Sequence, residues 1–357
     1  MINKKILGTV ILIVIIGQVM VYSASNIWAQ YKFNDPYFYI KRQFIFGIIG
    51  ILCMYIVSKI NYKIYYKYAG KLVVLSIFLL ILVLIPGIGS VRGGSRSWFN
   101  LGIVSFQPSE LFKIAMIIYS AKYISNNLHA LKKIKYSLPL LFVLGLGFGL
   151  IMLQPDFGSA VVMASSIVLM VIVTPFPFRY FIRLGLVALS GLIVMIISAP
   201  YRLERILAFL DPFSDPLGSG FQMIQSLYAI GPGGLMGAGF NQSMQKNFYL
   251  PEPQTDFIFA IYCEEFGFIG GVFLIVLYAY FVITTLKLAQ DLHDSFGCFL
   301  LIGFISLIGV QTIINLGVVV GLFPVTGVTL PLVSYGGTSL TITLIIVGII
   351  LNISKSN

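Results

Sequence analysis

The residue best placed to act as a base is Asp256, which opens a long apolar segment in the stretch PEPQTDFIFA. A carboxylate flanked by Phe257 and Phe259 is partly desolvated, which raises its pKa and suits it to accept a proton. The competing reading is a helix-start acid that complements the macrodipole beside a Thr255 cap. Position alone favours that second reading. Glu264 and Glu265 follow about 12 Å further along the same helix at 1.5 Å per residue. Two adjacent carboxylates at membrane depth are costly and should face protein or water. Gly267, Gly270 and Gly271 come next, so a bend or a tight contact is expected there.

Cations accompany these acids. Arg92, Arg96 and Trp98 share one polar loop, a mixture that serves phosphate recognition or interfacial anchoring. Arg202, Arg205 and Lys246 add positive charge in a second loop. Glu110 and Lys113 are i,i+3 partners at the start of a helix after Gln107-Pro108-Ser109. They read either as an ion pair or as groups lining a cavity at membrane depth. Asp156, within QPDFG, reads as a turn former. Glu252 stands between Pro251 and Pro253, which predict an extended approach to Asp256. Asp211 and Asp215 have turn spacing, not that of a metal-binding DxD, and no phosphate loop, HExxH or nucleophile elbow occurs. His129 and His293 fall at the end of the chain's bundle opposite Asp256. Cys53, Cys263 and Cys298 sit in apolar runs without metal or disulfide spacing. No metal site is expected. A base and several cations beside a greasy bundle suggest a substrate with a phosphate head and a long lipid tail.

The elements that must position these residues are membrane helices. Hydrophobic residues make up 58% of the 357, charged residues only 10%, and mean hydropathy is +0.97, too little charge to cover a soluble surface. The fold expected is an all-α polytopic membrane protein of one domain over 1–357. About ten spans are predicted near 6–22, 43–58, 71–86, 107–121, 138–153, 158–175, 182–199, 256–287, 297–320 and 334–352. The first is too long for a cleaved signal and is retained. With both termini in the cytoplasm, that side carries 14 of the 23 Lys and Arg, and the rule that basic loops stay inside is obeyed. The net charge of +11 is therefore a topology signal, and nucleic acid is not a partner. Two long polar loops, 87–109 and 199–255, lie on the far side. In the second, Leu203, Ile206, Leu207 and Leu210 share a helical face, which predicts an interfacial helix over 201–210.

In order, the segments GGSRSWFNLG (93–102), QPSELFK (107–113), QPDFGSA (154–160), RLERILAFLDP (202–212), AIGPGGLMGAGF (229–240), LPEPQTDFIFAIYCEEFGFIGG (250–271) and PVTGVTLPLVSYGGTSL (324–340) resemble the SEDS family, the FtsW, RodA and SpoVE polymerases of bacterial peptidoglycan. The resemblance spans the whole chain. It implies a multi-pass protein of the bacterial cytoplasmic membrane that polymerises lipid II into glycan strands at the outer face. The family's proposed catalytic acid aligns with Asp256, which reverses the balance between the two readings above. An α-linked pyrophosphate donor and a β-linked product imply inversion, with one base on the acceptor hydroxyl. Candidates for stabilising the leaving pyrophosphate are Arg92, Arg96, Lys113, Arg202, Arg205 and Lys246, with Trp98 near sugar or helix and Glu110, Glu252, Glu264 and Glu265 as supporting acids. The resemblance names no certain cofactor and leaves a divalent cation open. It implies a class B penicillin-binding protein as partner, and PEPQ leans towards the division and sporulation branches. Two positions depart from the family pattern. Gln254 stands where many members have His, and Thr326 where some have Lys, so neither role carries over. A lipid II flippase without bond chemistry is the alternative, disfavoured by the absence of an inverted repeat.

Overall fold

A computed structural model of the chain describes residues 3–100, 102, 105–197 and 200–355. Ten long helices run back and forth in order: α1 (Lys4–Phe33), α2 (Phe38–Val57), α3 (Lys63–Leu82), α4 (Pro108–Asn127), α5 (Leu138–Met152), α6 (Phe157–Ile172) and α7 (Phe178–Ile197), then, after two short helices, three more. The short ones are α8 (Pro200–Leu210) and α9 (Phe221–Ile230), and the last three are α10 (Ile258–Gln290), α11 (Ser295–Val319) and α12 (Gly337–Ile353). Helices α1, α2, α3, α10 and α11 are each long and apolar enough to cross a bilayer, while α5, α6 and α12 are apolar but shorter. The ten expected spans are thus present in order, and α8 is the helix expected near 201–210.

Several boundaries differ from expectation for a physical reason. The first helix does not stop at residue 22 but continues to Phe33. Its second half is polar because Ser23, Ser25 and Asn26 are buried against protein rather than lipid. Ser25 Oγ donates to the Val21 carbonyl at 2.6 Å, so the helix satisfies its own hydroxyl. Helix α3 likewise begins at Lys63, not 71, because the charged Lys63–Lys71 stretch forms its exposed first turns. The last two residues expected in the seventh span, 198 and 199, lie outside the described residues.

Helices α4, α11 and α12 form the centre, with most of their residues buried. Helix α12 packs along α2, and α11 against α4, α6 and α10. Close approach depends on small residues, as is usual between membrane helices. A Cβ on Gly348 of α12 would lie 2.6 Å from the Met54 carbonyl oxygen of α2. Among the described residues, α7 packs chiefly on α8 and so stands at the margin. The Asn3 N–H donates to Ser354 Oγ at 3.2 Å, which brings the two ends of the chain together. Since the helices alternate, both long loops lie at the opposite end.

Those loops are structured. Residues 87–109, expected as a polar loop, carry a three-stranded antiparallel sheet of β1 (Gly89–Arg92), β2 (Ser95–Asn100) and β3 (Ser105–Phe106). The β1–β2 hairpin closes on Gly93 and Gly94, with φ of 55° and 80°, the doubly positive turn that two-residue hairpins favour. The sheet sits on the bundle: Ser97 Oγ donates to the Gln154 carbonyl at 3.4 Å, and Thr338 Oγ1 to the Ser105 carbonyl at 2.6 Å.

Two irregular segments complete this end, one lying on the surface of the bundle and one running inside it. Residues 234–239 dock against a break in α10 at Gly267, which has φ 65° and ψ −166°. The N–H groups of Ala238 and Gly239 donate to the carbonyls of Glu264 and Glu265, and those of Phe268 and Ile269 to Gly234 and Leu235. Each half of the broken helix thereby satisfies its ends, as backbone at membrane depth must. The bend expected from the glycines is present. Residues 328–334, expected as loop and helix start, run buried and non-helical. Side chains tie this segment down: Gln311 Nε2 donates to Thr329 O at 3.0 Å, Gln43 Nε2 to Ser334 O at 3.0 Å, and Tyr278 Oη to Pro331 O.

Candidate functional site

Asp256 is half-buried and lies two residues before the first residue of α10. The helix is therefore not capped by Thr255: the capping position is Phe257, which makes no side-chain cap. Thr255 Oγ1 instead shares its single proton between the Asp256 carboxylate at 2.9 Å and the Glu252 carbonyl at 2.7 Å. The approach is not extended as the prolines suggested. The Thr255 N–H also donates to the Glu252 carbonyl at 3.1 Å, closing a turn with Glu252 at φ 43°. Phe257 and Phe259 are buried beside it. Asn315 of α11 donates to the Asp256 carbonyl at 2.7 Å, and the Tyr335 N–H to the Gln254 carbonyl at 2.8 Å.

One turn earlier on the same face of α11, Gln311 presents Oε1 to Lys113 Nζ at 3.4 Å. Residues i and i+4 stack about 6 Å apart along a helix. Helix α11 therefore brings the Asp256 main chain and the Lys113 ammonium to one side of the bundle. Lys113 and Glu110 form an ion pair at 2.8 Å with side chains 3% and 9% exposed. Their mutual attraction offsets part of the cost of burying two charged side chains. Asp156 is a junction as well as a turn residue. It caps α6 through the Ser159 N–H at 3.1 Å and accepts from Gln107 Nε2 at 3.0 Å, which fixes the start of α4.

Glu264 and Glu265 both face protein. The Glu264 carboxylate accepts from Ser243 Oγ at 2.5 Å and from the Met244 N–H at 2.7 Å. Glu265 accepts from Ser23 Oγ at 2.5 Å and pairs with Lys246 at 3.1 Å. Lys246 Nζ donates further to Asn241 Oδ1 at 2.6 Å, and Asn26 Nδ2 reaches the same oxygen at 2.8 Å. This latch joins α1, α10 and the 241–246 segment. Burial pushes the Lys246 pKa below that of an ordinary lysine, against the pull of Glu265 and Glu264.

The exposed cations lie around the sheet. Arg92 places its guanidinium 5.7 Å from the Trp98 ring centroid and close enough to Tyr335 to act on it electrostatically. Arg96 is half-buried on β2, and Glu252 is exposed at the turn before Asp256. Arg202 and Arg205 belong to α8, but their side chains lie outside what the structure describes. Arg42, near the start of α2, lies close enough to the Tyr335 hydroxyl to act on it electrostatically, and Tyr39 meets the Tyr335 ring edge-on at 4.9 Å. Sequence reasoning missed Arg42, Gln43, Gln311, Asn315 and Tyr335. The usable signal was a polar side chain inside an otherwise apolar span, which rarely occurs without a role. Among the described residues no cluster of three or more His, Cys, Asp or Glu side chains is placed to hold a metal ion.

A half-buried acid beside a buried ion pair, with arginines and an aromatic ring on the rim of a ten-helix bundle, defines a polytopic membrane protein with a polar site at one end. The family model described as cell cycle protein, covering FtsW, RodA and SpoVE, matches residues 3–357, and the chain belongs to that family. It is 49% identical over 346 residues to stage V sporulation protein E of Bacillus subtilis (strain 168), covering 97% of this chain and 94% of that one. It is 40% identical over 350 residues to a probable peptidoglycan glycosyltransferase FtsW of Geobacter sp. (strain M18), covering 98% and 95%. The fold is similar to the crystal structure of Thermus thermophilus rod shape determining protein RodA, with TM-score 0.74, 29% identity and coverage of 99% and 97%. It is also similar to a chain of a peptidoglycan synthase complex in which polymerization and crosslinking are coordinated, with TM-score 0.81, 33% identity and coverage of 99% and 98%.

Proposed function

We propose that this protein is a peptidoglycan glycosyltransferase that polymerises lipid II at the outer face of the cytoplasmic membrane, with both termini inside. The observation that carries the reading is Asp256: a half-buried carboxylate on a clamped main chain, at the end of the bundle that carries the arginines, in a family whose curated relatives include probable peptidoglycan glycosyltransferases. The acceptor sugar's 4-hydroxyl gives its proton to the Asp256 carboxylate as its oxygen attacks the donor's anomeric carbon. The bond to undecaprenyl pyrophosphate breaks on the opposite side, so configuration inverts. Pyrophosphate leaves without a proton if positive charge meets it. Arg92, Arg96, Arg202 and Arg205 are assigned that task, joined by Arg42. Lys246 is not, because its ammonium is buried against Glu265. Lys113 is paired with Glu110 and is assigned to the electrostatics around Asp256 rather than to pyrophosphate. We further assign a class B penicillin-binding protein as partner, crosslinking the strands made here, in line with the synthase complex to which the fold is similar.

A flippase draws support from the broken helix α10, since discontinuous helices often bind transported solutes. Here the break is closed by the 234–239 segment, whose backbone pairs with both helix ends, and that favours the enzyme. The test is incubation of the purified protein with lipid II, with and without a class B penicillin-binding protein, and in parallel a lipid II flipping assay in vesicles. Glycan polymer without flipping is expected. Flipping without polymer under any partner condition would overturn the reading.

A further inference from the structure

Asp256 precedes the first turn of α10, so helix geometry does not fix its main chain. The Ala260 N–H, which would reach the Asp256 carbonyl in a longer helix, donates instead to the Phe257 carbonyl at 2.9 Å. The Asp256 carbonyl is held by Asn315. Its carboxamide donates one hydrogen to that oxygen at 2.7 Å and the other to the Val328 carbonyl, also at 2.7 Å. Asn315 is 1% exposed, and its Oδ1 is buried without a protein partner. The amide orientation follows from this, because a flipped amide would set Oδ1 against two carbonyl oxygens. A carboxamide is the one neutral side chain of this length with two N–H donors. Aspartate would present only acceptors, and leucine would leave both carbonyls unpaired.

The same helix face carries Gln311, which donates to the next carbonyl of the buried segment, Thr329, and faces Lys113. Two amides on consecutive turns therefore gauge the main chain of Asp256, the 328–329 peptide and the Glu110–Lys113 pair from one rigid helix. Resting on the glycosyltransferase reading above, we propose that Asn315 is a positioning residue for Asp256. It touches neither substrate nor the carboxylate. It fixes the peptide from which the carboxylate projects, so that Asp256 meets the acceptor hydroxyl at one place.

The test compares the full-length protein with Asn315→Ala and the isosteric Asn315→Asp, in lipid II polymerisation with the partner that best supports wild-type activity. Ser226→Ala serves as the control. It removes another buried bond to α11, from Ser226 Oγ to the Val319 carbonyl at 2.7 Å, without contact to Asp256. Misplacing a reacting group by about 1 Å costs on the order of 100-fold. The expected result is that both Asn315 variants lose about 10- to 100-fold in kcat with KM for lipid II within about twofold of wild type, rates being taken per folded molecule. The acidic limb of the kcat–pH profile should move in Asn315→Ala and stay fixed in Ser226→Ala. Activity per folded molecule within about twofold of wild type in either Asn315 variant, or losses matching those of Ser226→Ala, would overturn the proposal. Should Asn315→Ala fail to fold, the isosteric variant and an Asn315→Ser variant, which keeps one donor and should fall between, decide the matter. A wild-type protein that makes no polymer would overturn the enzymatic reading itself, and that outcome is visible before any variant is compared.

Discussion

The two ends of the first half of α10 both carry carboxylates, and the protein treats them in opposite ways. At the broken end, Glu264 and Glu265 are 4% and 1% exposed and held by hydroxyls, N–H groups and Lys246, with Glu265 engaged through Oε1 alone. At the starting end, Asp256 is half-buried, its carboxylate meets Thr255 Oγ1 at 2.9 Å, and Asn315 of a neighbouring helix holds its carbonyl at 2.7 Å. Charges used for architecture are locked by their side chains. Where a carboxylate is proposed to do chemistry, a buried amide on a neighbouring helix holds its main chain as well.

Substitutions at the two ends should separate activity from stability. The largest effect is expected for Asp256→Asn, which should lower lipid II polymerisation by about 10²- to 10⁴-fold, the usual worth of a general base. Its unfolding temperature in detergent should match wild type. Lys246→Met should do the reverse. It strands the buried Glu265 charge and should destabilise the fold by about 3–5 kcal/mol, read from thermal unfolding, with activity per folded molecule retained. Adding Glu265→Gln removes the stranded charge and should recover more than half of that loss; no recovery would show that the pair does not act as a unit. Thr255→Val deletes one hydrogen bond to the Asp256 carboxylate, worth about 0.5–1.5 kcal/mol. A loss of a few-fold in kcat is expected, with no change in lipid II affinity.

The smallest effect is a pH dependence. Because burial lowers the Lys246 pKa, the unfolded chain binds that proton more tightly than the folded one. Stability from this group should therefore rise as pH climbs from the folded value towards the ordinary lysine value of 10.5. The difference between wild type and Lys246→Met/Glu265→Gln, followed by thermal unfolding across that window, isolates it.

Much of this was legible in the sequence, but unevenly. Apolar runs gave the ten helices in order, because a bilayer imposes a length and a hydropathy on any span. They misjudged α1, whose outer half is helical although Ser23, Ser25 and Asn26 are polar, since Ser23 and Asn26 join the latch and Ser25 bonds its own helix. The glycines after Glu265 announced the break in α10, but not the 234–239 segment that fills it, because that pairing is long-range. Asp256 was ambiguous from position alone, and its family motif singled it out. Asn315 and Gln311 were legible only as polar residues inside an apolar span. Their importance depends on the main-chain carbonyls they reach, which no spacing rule reveals.

The most direct test of the account is the initial rate of lipid II polymerisation, at equal folded protein, for wild type, Asp256→Asn and Lys246→Met/Glu265→Gln. Polymer is expected from wild type and from the double variant at rates within about threefold, and a loss of about 100-fold or more for Asp256→Asn. Polymerisation by Asp256→Asn at the wild-type rate would contradict it, because the acid at the start of α10 would then be as architectural as the pair at its break.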